Sequence, residues 1–162
     1  MTAISPTRAA AEWARALFVS PEFLVIILIG WAFLQWPETW TAVRASIGPS
    51  GGVVGLGGLG AAVALLTTTG TQMKRITHPD DPGRVALLDW PEYWRLSIRV
   101  RAGYLFSMVG AASVATGLAV GWSSPESPWA LVALVLGLGV QLVAFATMTF
   151  AAWQVGEVLD GV

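Results

Sequence analysis

The chain has 162 residues, of which 55% are hydrophobic and 12% charged, with nine Trp, one His, no Cys and a formal net charge of −1. A soluble domain carries roughly a quarter of its residues charged, so this composition indicates a membrane protein. No disulfide or thiolate site is possible, one His cannot supply a Cys/His metal framework, and a near-neutral balance excludes a generally basic surface for nucleic acid.

Four stretches contain no Asp, Glu, Lys or Arg: Phe23 to Pro37, Ala45 to Met73, Ala102 to Pro125 and Ser127 to Gly156. A transmembrane helix needs about 20 predominantly apolar residues. The expectation is an all-α, polytopic integral membrane protein, a single membrane domain over 1–162. Its predicted architecture is a four-transmembrane-helix bundle with an N-terminal surface helix and a long third helix extending into the cytoplasm.

In chain order, residues 5–20 predict the surface helix, opened by Ser5-Pro6. Trp13, Leu17 and Phe18 cluster at helical spacing, with Arg8 and Glu12 four apart on another side, so it can lie flat on the membrane. The first span, 18–36, borrows Ser20 and Glu22 to reach sufficient length, the carboxylate being expected to extend to the headgroups. Residues 37–50 form an external loop with a short interfacial helix, and 51–73 the second span. Residues 74–101 are a basic cytoplasmic loop and the start of the third helix, whose span is 102–122. A short external loop at 123–128, a fourth span at 129–153 and a cytoplasmic tail at 154–162 complete the chain.

The pentapeptides WPETW (36–40) and WPEYW (90–94) mark two membrane surfaces. Proline suits the first helical turn, an early carboxylate suits the positive end of the helix dipole, and Trp settles at the headgroup level. By this logic Pro21-Glu22, Pro37-Glu38, Pro91-Glu92 and Pro125-Glu126 each start a helix. The sequences after the two pentapeptides diverge, which argues against an internal duplication. Val43-Arg44-Ala45 has the spacing of a signal-peptide cleavage site, but the long charged lead and Trp36 and Trp40 nearby predict a retained anchor.

Eight basic residues (Arg8, Arg15, Lys74, Arg75, Arg84, Arg95, Arg99 and Arg101) stand against one, Arg44, across the expected spans. The positive-inside rule then puts both termini in the cytoplasm of a bacterial cytoplasmic (inner) membrane protein. Within the basic loop, His78, Asp80 and Asp81 read as a solvated turn rather than a metal site, and Asp89 and Glu92 have capping-box-like spacing. Arg95, Arg99 and Arg101, with Trp90 and Trp94, are the candidate contact for lipid, including anionic lipid, or for an acidic partner.

Inside the spans, Gln141 is the polar exception, a candidate for an interhelical hydrogen bond or, with Thr67, Thr68 and Thr69, for lining a pore. Helix packing is expected at Gly51, Gly55, Gly57, Gly58 and Gly60 in the second span. The third contributes Gly103, Ser107, Ala111, Ala115 and Ala119 in an i, i+4 row, and the fourth Ala133 and Gly137. No nucleophile–base set, phosphate loop or intramembrane carboxylate pair is present, so neither catalysis nor a cofactor is expected. The leading expectation is a non-catalytic subunit that packs against copies of itself or other membrane proteins. The alternative is an oligomeric channel or membrane-permeabilising effector controlled through the basic loop.

Overall fold

The computed structural model describes residues 5–47, 51–78 and 90–160, and the described residues form helices and turns without a strand. The helices are α1 (Pro6–Phe18), α2 (Pro21–Gln35), α3 (Pro37–Ile47), α4 (Gly51–Thr77), α5 (Tyr93–Ser123) and α6 (Pro128–Asp160). Three of them are long and apolar enough to cross a membrane, over Val53–Thr77, Tyr93–Ser123 and Pro128–Gly156. The 15 residues of α2 rise only about 22 Å, less than the roughly 30 Å of a hydrocarbon core. It meets the length requirement only together with α1, from which it is bent by 43°.

That bend has a local cause. Ser20 caps α2, its hydroxyl accepting from the Phe23 amide at 3.1 Å while donating to Leu17 O at 3.1 Å, so one side chain ties the end of α1 to the start of α2. Pro21 follows at the first helical position, where its missing N–H costs nothing. Pro37-Glu38 likewise opens α3. Pro91-Glu92 sits in a turn just ahead of α5, which starts at Tyr93. Pro125-Glu126 does not start a helix at all: it occupies a turn closed by the Ser127 amide on Ser124 O at 3.0 Å, and Pro128 opens α6 instead. Proline serves the second position of a turn as well as the first turn of a helix, and the nearby second proline decides between them.

α5 and α6 are the antiparallel centre of the fold, with α4 packed against both, α2 and α3 against α6, and α1 against α5. Backbones touch in the central pair: a methyl group on Gly117 would stand 2.8 Å from Ala130 O, and one on Gly137 2.8 Å from Val114 N. Buried positions of α4 include Gly55, Ala62, Thr69 and Ile76, seven apart, with Thr77 buried at its end. Those of α5 include Val100, Gly103, Ser107, Gly110, Val114 and Gly117, in alternating steps of three and four. A mean step of 3.5 keeps one seam facing its neighbour along the whole helix.

The expected i, i+4 row on this helix does not stay in the interface. Four residues turn an α-helix about 40° beyond a full revolution, so a strict four-residue row winds off any seam. Gly103 and Ser107 are buried, Ala111 is half-buried, and Ala115 and Ala119 face outward. On α6, Ala133 is half-buried and Gly137 buried. The glycines of α4 divide in the same way. Gly51 opens the helix, Gly55 is buried under Leu118 and Gly58 lies against Leu134 and Leu138, whereas Gly57 and Gly60 face open space.

Candidate functional site

The interior of the bundle contains a polar node made by three helices. Gln141 of α6 is wholly buried, and its Nε2 donates to Ala62 O of α4 at 2.9 Å and to Ser107 O of α5 at 3.1 Å. Thr69 of α4, also buried, points its hydroxyl at Ser107 Oγ at 3.1 Å and at Leu65 O and Leu66 O of its own helix. Two amide protons are satisfied by two backbone carbonyls of different helices, which sets the relative height of all three. Gln141 Oε1 has no partner among the described residues. Of the residues considered for a pore, Gln141 and Thr69 are therefore enclosed within the chain. Thr67 and Thr68 face outward, their hydroxyls donating to Val63 O and Ala64 O at 2.8 Å.

Glu22 is the residue that sequence reasoning misplaced. Its carboxylate does not extend to the surface: the residue is only 2% exposed, and Oε1 has no hydrogen-bond partner among the described residues. It lies beside α5, at 4.0 Å from the position a Cβ would take on Gly103, with the Met148 side chain on the same spot. The bend at Ser20 aims the first turn of α2 inward, and a glycine opposite leaves the room. A charge at the edge of an apolar run reads as a headgroup contact in sequence. Only the direction of the helix shows that it faces the bundle.

Lys74, Arg75, Arg95, Arg99 and Arg101 gather at one end, because α4 finishes there and α5 begins there. Tyr93 joins the two, its hydroxyl lying 3.1 Å from Ile76 O and 3.0 Å from Thr77 O in the final turn of α4. Arg95 is held between Glu12 of α1 at 3.4 Å and Glu92 at 3.0 Å, with its guanidinium 5.3 Å from the Trp94 ring centre. Arg99 and Arg101 are exposed, as is Trp90, and neither arginine is paired with a carboxylate among the described residues. A cleft of about 280 Å³ adjoins Arg99, with Leu96, Gly103, Met148, Phe150 and Gln154 in its walls. The two arginines four residues apart thus have different surroundings, one inside an ion-pair cluster and one beside a cavity.

At this end His78 shares a 2.9 Å hydrogen bond between Nδ1 and the Thr77 hydroxyl; Asp80, Asp81, Arg84 and Asp89 lie outside the described residues. At the opposite end Arg44 of α3 donates from Nε to Pro125 O at 2.8 Å, joining α3 to the α5–α6 turn. Trp129 lies against Phe33 with ring centres 4.5 Å apart and planes tilted by 48°, and Trp40 donates its indole N–H to Ala32 O at 3.3 Å. An aromatic side chain whose one polar atom is satisfied by a carbonyl is of the kind that suits a membrane–water boundary.

No protein-family model matches the chain, and comparisons with curated proteins and with solved structures gave no match either.

Proposed function

We propose that the protein is a non-catalytic membrane subunit that crosses the bilayer four times and self-associates through the outward face of α4. In this reading α1 and α2 together supply the first crossing, and α4, α5 and α6 the others. The eight basic residues against one support an orientation with both termini in the cytoplasm of a bacterial inner membrane.

The observation that carries the association is a contrast between two outward helix faces. On α2 the exposed face is built of Leu24, Ile27, Leu28, Trp31 and Leu34, large side chains suited to fluid acyl tails. On α4 Val53, Val54, Leu56 and Val63 are exposed as well, but beside them runs a stripe of small residues, Gly57, Gly60, Ala61, Ala64, Thr67 and Thr68, that α2 lacks. A methyl group added at Gly57 or Gly60 would meet nothing within 4 Å. Lipid tails provide no hydrophobic drive for helices to associate, so close backbone approach over small residues is what favours a protein neighbour. The threonines add no polar obstacle, because their hydroxyls are already satisfied within the helix.

Oligomeric mass measured in lipid nanodiscs tests this. A dimer or larger species is expected for the native chain and a monomer for the Gly57→Leu, Gly60→Leu double variant. A native monomer, or an assembly unaffected by the two leucines, would reject the proposal.

A further inference from the structure

The cleft beside Arg99 has no role in association through α4, and its height along the bundle limits what can occupy it. It lies between α5 and α6, with buried Val100, Gly103 and Met148 at its floor and exposed Arg99, Phe150 and Gln154 at its mouth. On α6, Trp129 and Trp153 are both exposed and stand 24 residues apart, a rise of about 36 Å. On α5, exposed Trp122 and Arg99 stand 23 residues apart, a rise of about 35 Å. A hydrocarbon core is about 30 Å thick, and Trp settles just outside it. With Trp122 and Trp129 at the external boundary, Arg99 and Gln154 fall at the level of the cytoplasmic headgroups, and Gly103 and Met148 fall among the upper acyl chains.

We propose that this cleft holds one phospholipid of the cytoplasmic leaflet by its phosphate. The Arg99 guanidinium makes no ion pair among the described residues, and its planar donors suit phosphate oxygens. The Gln154 amide is the other polar group at the mouth. Thr147, also in the wall, does not compete, because its hydroxyl already donates to Val143 O at 2.9 Å. One acyl chain follows Leu96 and Phe150 toward the bilayer interior. At about 280 Å³ the cleft takes only the phosphate, the glycerol and the upper part of that chain. It contacts the phosphodiester that phospholipids share, so it selects phosphate and not a particular headgroup. Neither neighbouring arginine belongs to the site. Arg95 is held by Glu12 and Glu92, and Arg101 lies about 200° around α5 from Arg99. The site rests on the membrane-crossing reading and is independent of association through α4.

The test is lipid retention by the full chain, read by native mass spectrometry from detergent supplied with phosphatidylglycerol, phosphatidylcholine or diacylglycerol. Either phospholipid should be retained about tenfold or more better than diacylglycerol, the range of a hydrogen bond to a charged group. Arg99→Gln should remove that margin, whereas Arg101→Gln, on the other side of α5, should leave it. Equal retention of diacylglycerol by the native chain would overturn the proposal. Equal losses in the two arginine variants would do so too, since they would mean a diffuse positive surface and not a site. Ala151→Phe, which fills the cleft, should also lower phospholipid retention, and full retention there would place the lipid elsewhere. Both arginines are exposed, so their substitution spares the core and keeps the test decisive should Ala151→Phe fail to fold. Excess inorganic phosphate should not displace the lipid; displacement would assign the cleft to a free anion instead. Retention per chain should persist in the Gly57→Leu, Gly60→Leu variant, so failure of association and failure of the lipid site are separate results. Lipid lost together with the oligomer would put it between chains and reject the cleft.

Discussion

Gly110 of α5 and Gly137 of α6 face each other so closely that a methyl group on either would lie within 2.7 Å of the other's carbonyl oxygen. The obstacle is backbone on both sides, which no rotamer change can relieve. Gly137→Ala should therefore destabilise the bundle by about 1–3 kcal/mol, the usual cost of overpacking, or more. Gly30→Ala, with nothing within 4 Å of the new methyl, is the matched control and should leave stability unchanged or slightly raised. Thermal denaturation of the two variants in one detergent compares them directly.

Gln141→Leu should have a smaller effect. It removes two interhelical hydrogen bonds, but the Ala62 and Ser107 carbonyls keep their own helical partners, and the unpaired Oε1 disappears with the amide. Interhelical bonds in membranes average about 0.6 kcal/mol and reach about 1.7, so a loss near 1 kcal/mol is expected. Equilibrium unfolding in mixed micelles measures it, and a loss comparable with Gly137→Ala would mean that the polar node, not backbone contact, dominates.

The Arg95–Glu12 ion pair fastens α1 to α5. Arg95 is half exposed, so the pair should contribute only about 0.2–1 kcal/mol and weaken with added salt. Arg95→Gln is accordingly expected to leave the main bundle intact while raising hydrogen exchange in Pro6–Phe18. Unchanged exchange would place the hold on α1 in its apolar contacts instead.

The absence of cysteine makes orientation directly measurable. Thr7 and Ser46 are both exposed and lie on α1 and α3, at opposite ends of the bundle. A membrane-impermeant maleimide added to intact spheroplasts should label Ser46→Cys at once and Thr7→Cys only after lysis. Equal labelling of both before lysis would remove the four-crossing orientation.

Much of the helical character was readable one residue at a time. Long charge-free runs, Ser and Pro at starts and the scarcity of charge depend on local composition, because a backbone in lipid has to satisfy its own hydrogen bonds. The same reasoning failed where neighbours decide. Pro125-Glu126 has the letters of a helix start, yet the turn at Ser124 and a second proline at Pro128 move the start onward. Glu22 and the small residues of α5 failed for a shared reason, that a face is a direction in space and not a spacing.

By itself, then, the sequence determined an all-helical chain with apolar helices long enough to cross a membrane, since both follow from hydrogen-bond satisfaction and hydrophobicity along the chain. Tertiary structure alone decided which side of each helix is inside. It placed Thr69, Ser107 and Gln141 at one height, separated Arg95 from Arg99 by their partners, and turned Glu22 inward against Gly103. Those outcomes depend on helix rotation and on a 43° bend between α1 and α2, which are set by contacts among residues far apart in the chain.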